Sequence, residues 1–338
     1  MITIRQVNAL EVLDSRGNPT VEVTINLSDG SSGTASVPSG ASVGTYEAVE
    51  LRDADPSRYQ GMGVLKAVKN VNTVIGPKII GMDVVKQGKI DQTMLELDGT
   101  LNKSVLGANA ILAVSIAVCK AAAIALKIPI YTYIAELIQN KLPEKFEHMP
   151  TPTFNVINGG KHGTGNLDFQ EFHVVPATIK PYHEALRMGE EIYQQIKKIL
   201  VQRNASYAVG DEGGFTPNLF TNLDALEIIM EAIRATPYKF GMEIFLGLDI
   251  AATHISKENN YVIKDRATPL STEEFIDFLS ELHREYRILL LEDPITENDW
   301  QSWKMITSKL GNEINIIGDD LIATNPTRLE KAISEKAC

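Results

Sequence analysis

The chain has 338 residues, 44% hydrophobic and 22% charged, and a net charge of −11. Those proportions describe a soluble globular protein with a real core, long enough for two domains or one large one. No block of Lys or Arg is present, which excludes nucleic acid as a main ligand, because a phosphate backbone demands a basic face.

The opening MITIRQVNALEVLDSRGNP holds no apolar signal core, and the expected location is the cytoplasm. Two cysteines, Cys119 in an apolar helical pattern and Cys338 at the last position, form no disulfide framework and fit a reducing compartment. From residue 11, EVLDSRGNPTVEVTINLSDGSSGTASV alternates apolar and polar residues, with turn clusters at 15–19 and 28–31. That pattern predicts a three-stranded antiparallel meander. Helical patterns follow near 62–80, 86–97, 107–126 and 129–140. The most apolar stretch, residues 108–126, is dominated by alanine and interrupted by Asn109, Ser115 and Lys120. It reads as a buried core helix, not a membrane span. The order gives an α+β domain over 1–142, its helices on one side of a small sheet.

Residues 143–152, PEKFEHMPTP, carry three prolines and read as a linker. Beyond it, strand patterns at 153–157, 169–175, 244–249, 287–291 and 314–317 alternate with helical patterns. The helices are expected at 180–202, 221–235, 271–285, 298–309 and 325–336. Strand then helix, repeated, predicts a parallel sheet with crossover helices. The simplest closed form is a barrel with its active site at the C-terminal strand ends.

Three of these strands end in acids. IFLGLD reaches Asp249, ILLLED reaches Glu292 and Asp293, and INIIGDD reaches Asp319 and Asp320. A parallel barrel gathers these carboxylates at one rim, where they repel each other unless a cation intervenes. All-oxygen ligands favour Mg²⁺, with Mn²⁺ as a substitute, over zinc. Asp293 and Asp320 have a second reading, as caps of the following loop or helix. NVINGGKHGTGNLDFQEF places His162 in a loop, then Gln170 and Glu171 on the next strand. AVGDEGGFTPN sets Glu212 between glycines, so that the backbone can approach a ligand. VPSGASVGTYE, residues 37–47, is either a plain connector or a mobile lid hinged at Gly40 and Gly44 that offers the Ser42 hydroxyl.

Together these pieces resemble the enolase family, the 2-phosphoglycerate dehydratases of glycolysis. The motifs are DSRGNPTVEV (14–23), VPSGAS (37–42), NVINGG (155–160), QEF (170–172), GDEGGF (210–215), GLD (247–249), EDP (292–294) and GDDL…TNP (318–326). They run in order along the whole chain. The resemblance implies an N-terminal α+β domain followed by an α/β TIM barrel that begins with two antiparallel strands. It implies two Mg²⁺ per active site, the tighter on Asp249, Glu292 and Asp319, the second assisted by Ser42. It makes Glu212 the general acid for the departing hydroxyl, with Glu171 beside it. His162, Gln170, Glu171, Glu292 and Asp319 are the residues implied at the substrate. A homodimer or larger homo-oligomer is implied as well.

The resemblance also implies a base lysine on the strand after Ile317, then a histidine, an arginine–serine pair and a second lysine. None occurs here. The 188 residues from Thr151 to Cys338 fall short of the roughly 250 of such a barrel. Residues 153–338 are therefore expected to form a partial barrel, and turnover is expected of a full-length form and not of this chain alone. Smaller departures are His254, where the family usually carries a glutamate, and Lys161 with the GTGN segment. Two readings compete with the enzyme. Another metal-assisted lyase or racemase would share the strand-end acids. A non-catalytic binding protein of the cell surface would follow the plasminogen and matrix binding seen in the family.

Overall fold

The computed structural model describes residues 1–40, 44–139, 149–163 and 167–338. Ser42 and most of the expected linker lie outside the described residues. The chain forms two compact units, Met1–Glu147 and His148–Cys338.

In the first unit, β1 (Ile4–Leu13), β2 (Pro19–Leu27) and β3 (Ser32–Ser36) form the antiparallel meander in the order β1-β2-β3. Alternation places Val21, Val23, Ile25 and Leu27 on the buried face of β2. The first turn is built by Asp14, whose carboxylate accepts the N–H groups of Arg16 (2.9 Å) and Asn18 (2.8 Å). The single helix expected over 62–80 is instead α1 (Leu65–Asn70), a π-helical turn (Val71–Ile75) and α2 (Gly76–Ile79). The widened turn presents Asn72 to β1. Its amide accepts from Ala9 N–H at 2.8 Å and donates to Ala9 C=O at 3.1 Å, pairing backbone groups of an edge strand. α3 (Gln87–Asp98), α4 (Ala108–Leu126) and α5 (Ile130–Gln139) follow. α4 is long and apolar enough to cross a membrane, but it packs as the core helix across β2 and β3. Its alanines allow close approach: a Cβ on Gly33 would lie 2.3 Å from Ala121 N.

In the second unit, β4 (Phe154–Asn158) and β5 (Glu171–Pro176) precede α6 (Tyr182–Gln202) and α7 (Asn222–Arg234). β6 (Ile244–Asp249), the two-residue strands β7 (Ser256–Lys257) and β8 (Asn260–Tyr261), and α8 (Thr272–Tyr286) come next. β9 (Ile288–Glu292), α9 (Trp300–Leu310), β10 (Asn315–Ile317) and α10 (Pro326–Glu335) end the chain. Among the described residues the main sheet has five strands in the order β10-β9-β6-β5-β4. β6, β9 and β10 are mutually parallel, whereas β5 runs antiparallel to both β4 and β6. The uniform parallel alternation expected from the repeat is thus corrected at β5. Among the described residues no α-helix lies between β4 and β5, which pair antiparallel, and the α6–α7 pair then carries the chain to β6. The two antiparallel strands at the start follow the family pattern.

Phe172, Val174, Leu246, Leu248 and Leu291 share one core with Ile192, Ile229, Phe275 and Trp303 of the helices. The ladder fixes the site's register. Glu171 pairs with Asp249, Asp249 with Glu292, and Glu292 with Ile317, two residues before Asp319. Four strands therefore present acids at one end of the sheet.

Candidate active site

The first cluster centres on Glu171. Glu171 and His173 lie two residues apart on β5 and share the face opposite the fully buried Phe172 and Val174. The Glu171 carboxylate meets His173 Nε2 at 2.7 Å and His162 Nδ1 at 3.0 Å. His162 Nδ1 also stands 3.1 Å from Glu212 Oε2, which accepts from Asn155 Nδ2 at 3.3 Å. Burial works to raise Glu171, but its bonds to His162 and His173 outweigh that and hold it well below the usual carboxylate range. Glu212 moves the other way. Its hydrogen bond with Glu171, then burial and repulsion from that carboxylate, push it up to about 7. One proton is thus shared by two carboxyl groups, and Glu212 keeps it near neutrality. The Glu171 bond holds the His162 imidazole above its ordinary value.

The glycine-rich loop that carries Glu212 is anchored. Asn158 N–H donates to Phe215 C=O at 2.8 Å, and Phe215 N–H to Val156 C=O at 2.9 Å. Tyr193 stacks on Phe215 at 4.3 Å between ring centroids and donates its hydroxyl to Gly213 C=O at 2.7 Å. Gly214 has no room for a side chain, since a Cβ there would lie 1.8 Å from Asn158 Oδ1.

The second cluster lies at the ends of β9 and β10. Oxygens of Glu292, Asp293 and Asp319 all fall within 4.8 Å of one another. Burial, then repulsion from Asp319, raises Glu292. Burial pushes Asp293 up to about 8 despite the Asp320 N–H that donates to its Oδ2 at 2.9 Å. Asp249 is raised well above the ordinary range by burial and by Glu292. Among the described residues, no Lys or Arg is ion-paired to any of these four acids. Asp249 is adjacent in the ladder but stands outside the close group. Its Oδ2 accepts from Gln170 Nε2 at 3.0 Å and its Oδ1 from Ala251 N–H at 3.0 Å. The structure therefore brings Glu292 and Asp319 together, adds Asp293, and ties Asp249 to Gln170.

Buried polar atoms without partners mark the same region. Among the described residues of the second unit they are Asn155 Oδ1, both amide atoms of Asn158, His162 Nε2, Gln170 Oε1 and Asp293 Oδ1. Every one belongs to these clusters or to the loop packed on them, although buried polar groups are normally satisfied. His173, Asn155 and Tyr193 were absent from the sequence expectation. The spacing of Glu171 and His173 was a readable signal for the first, whereas Asn155 and Tyr193 depend on packing across distant segments. His254, lowered by partial burial and by the charge of Lys161, belongs to the rim, where Asp320 also acts on it.

The fold and its row of acids define an α/β barrel-class protein with a carboxylate-lined strand-end site. The family profile described as "Enolase, N-terminal domain" matches residues 4–134, and "Enolase, C-terminal TIM barrel domain" matches residues 146–338. The chain belongs to the enolase family.

Proposed function

We propose that this chain carries the metal-holding and acid-donating residues of a Mg²⁺-dependent, reversible dehydration of 2-phosphoglycerate to phosphoenolpyruvate. The observation that carries the reading is the pairing of Glu212 with Glu171. A carboxylic acid that stays protonated near neutrality is what a poor leaving group such as hydroxide requires. Glu171 accomplishes this by staying ionised between two imidazoles and holding the shared proton on its neighbour. His162 orients both carboxyl groups, and the Phe215 anchor keeps Glu212 in reach.

The second cluster fits a hard cation. Its donors are all oxygen, no basic side chain among the described residues pairs with them, and Asp293 Oδ1 is buried without a partner. Asp249, Glu292 and Asp319 would hold the tighter Mg²⁺. Asp293 supports them. Tied to the Asp320 amide by a 2.9 Å hydrogen bond, it fixes the Asp319 loop. When bound there, Mg²⁺ would supply positive charge that offsets the negative charge developing on the substrate. Members of the enolase superfamily in general work with a Lys or His base and one or two Mg²⁺ ions. The family's base lysine is not among these 338 residues.

The test is phosphoenolpyruvate absorbance on adding 2-phosphoglycerate. Residues 1–338 alone are expected to show none. A chimera continuing them with the later strands of an enolase is expected to turn over, to stop with EDTA, and to stop on Glu212→Gln. Turnover by residues 1–338 alone would contradict the base assignment, and EDTA-resistant turnover by the chimera would contradict the metal.

A further inference from the structure

Arg328 occupies the first turn of α10, where a cation opposes the helix dipole. Helical side chains point back toward the N-terminus, and this one reaches two separate loops. Its Nε donates to Leu321 C=O, and its Nη2 to Glu297 C=O at 2.6 Å. Leu321 lies in the β10–α10 connection, two residues beyond Asp319. Glu297 lies in the β9–α9 connection, four residues beyond Asp293. The guanidinium carbon rests over the Trp300 ring, 5.1 Å from its centre, so a cation–π contact adds to the two hydrogen bonds.

The loop that Arg328 grips is under backbone strain. Ala323 and Thr324 have φ of 49° and 51°, and Asp293 has φ of 39°. Within it, Asp319 C=O accepts from Ala323 N–H at 2.7 Å, and the Asp320 N–H reaches back to Asp293. The two strand-end loops thus meet in two places, through Asp293 to Asp320 on the acid side and through Arg328 on the far side. Only a planar fork with several donors spans two carbonyls in this way, so lysine does not replace it.

We infer that Arg328 is a positioning residue that clamps the β9 and β10 loops together and so sets the spacing of Glu292, Asp293 and Asp319. The inference rests on the cation reading above for its consequence, but the clamp itself is a property of the loops. Groups behind metal ligands typically govern affinity by 10- to 100-fold.

The test uses the 338-residue chain in three forms, wild type, Arg328→Ala and Arg328→Lys. Mn²⁺ binding is followed by electron paramagnetic resonance, and amide hydrogen exchange is measured separately in EDTA. Wild type is expected to bind Mn²⁺. Arg328→Ala is expected to bind about tenfold more weakly, with partial recovery on adding ethylguanidinium. In EDTA, exchange at Asp320, Ile322 and Ala323 is expected to quicken by about tenfold in both variants. Amides of β6 are expected to stay unchanged. If Arg328→Ala fails to fold, Arg328→Lys carries the same comparison. Wild-type affinity and wild-type loop exchange in the variants would overturn the inference. A wild-type chain that binds no Mn²⁺ would overturn the cation reading instead, and the exchange measurement would still decide the clamp.

Discussion

The two acid clusters use the same side chains and settle their charge in opposite ways. Around Glu171, every carboxylate faces an imidazole, and two carboxyl groups share one proton. Around Glu292, oxygens of three carboxyl groups crowd together with no Lys or Arg ion-paired to them among the described residues, and burial and repulsion raise the proton affinities of Glu292 and Asp293. The contrast teaches that clustering alone assigns no role. The first cluster is internally neutralised and suited to moving a proton. The second has no such neutralising partner, and its all-oxygen donor set is the kind that suits a hard divalent ion.

Removing one carboxylate from the second cluster should separate the two most sharply. Glu292→Gln is expected to weaken Mg²⁺ binding by more than about 100-fold, beyond the loss typical of supporting groups, as read by titration calorimetry. The same change should raise the melting temperature of the metal-free chain, because it relieves repulsion. Unchanged affinity would mean that the cluster holds no metal. A smaller effect is expected from the ion itself. At a Mg²⁺ concentration near 100 times the dissociation constant, linkage stabilises the folded state by about 2.7 kcal/mol. EDTA should therefore lower the melting temperature of the second unit by roughly 5–10 °C, measured by calorimetry, and no shift would contradict the reading.

The ladder explains how far the sequence could be read. Aliphatic runs ending in acids located β6, β9 and β10 and put Asp249, Glu292 and Asp319 at one end of the sheet. The reversal at β5 was legible only through the family resemblance and not in the residue pattern, because strand direction depends on how the connection crosses the sheet. The π-helical turn at Val71–Ile75 was hidden for a similar reason. It exists to bring Asn72 to Ala9, a contact 63 residues away in sequence. Periodicity likewise could not show that Gln170 holds Asp249, since that bond joins segments 79 residues apart.

The proton-sharing cluster can be perturbed through its scaffold. Gly214→Ala places a methyl group against Asn158 and is expected to cost about 1–3 kcal/mol, read by urea denaturation; a neutral outcome would show that the Glu212 loop is slack. The smallest effect concerns pH. Glu212 is raised in the folded state, so its stabilising contribution is present below the ordinary value of 4.5 and is lost as pH rises through about 7. Stability of Glu212→Gln should fall less steeply than wild type across that window. Identical slopes would place the shared proton elsewhere.

The most direct test is anomalous scattering from crystals of the chain soaked in Mn²⁺. The account predicts a single strong peak at the strand ends, within coordination distance of Asp249, Glu292 and Asp319. A peak beyond coordination distance of Asp249, with Asp249 still bound to Gln170, or no peak there at all, would contradict it.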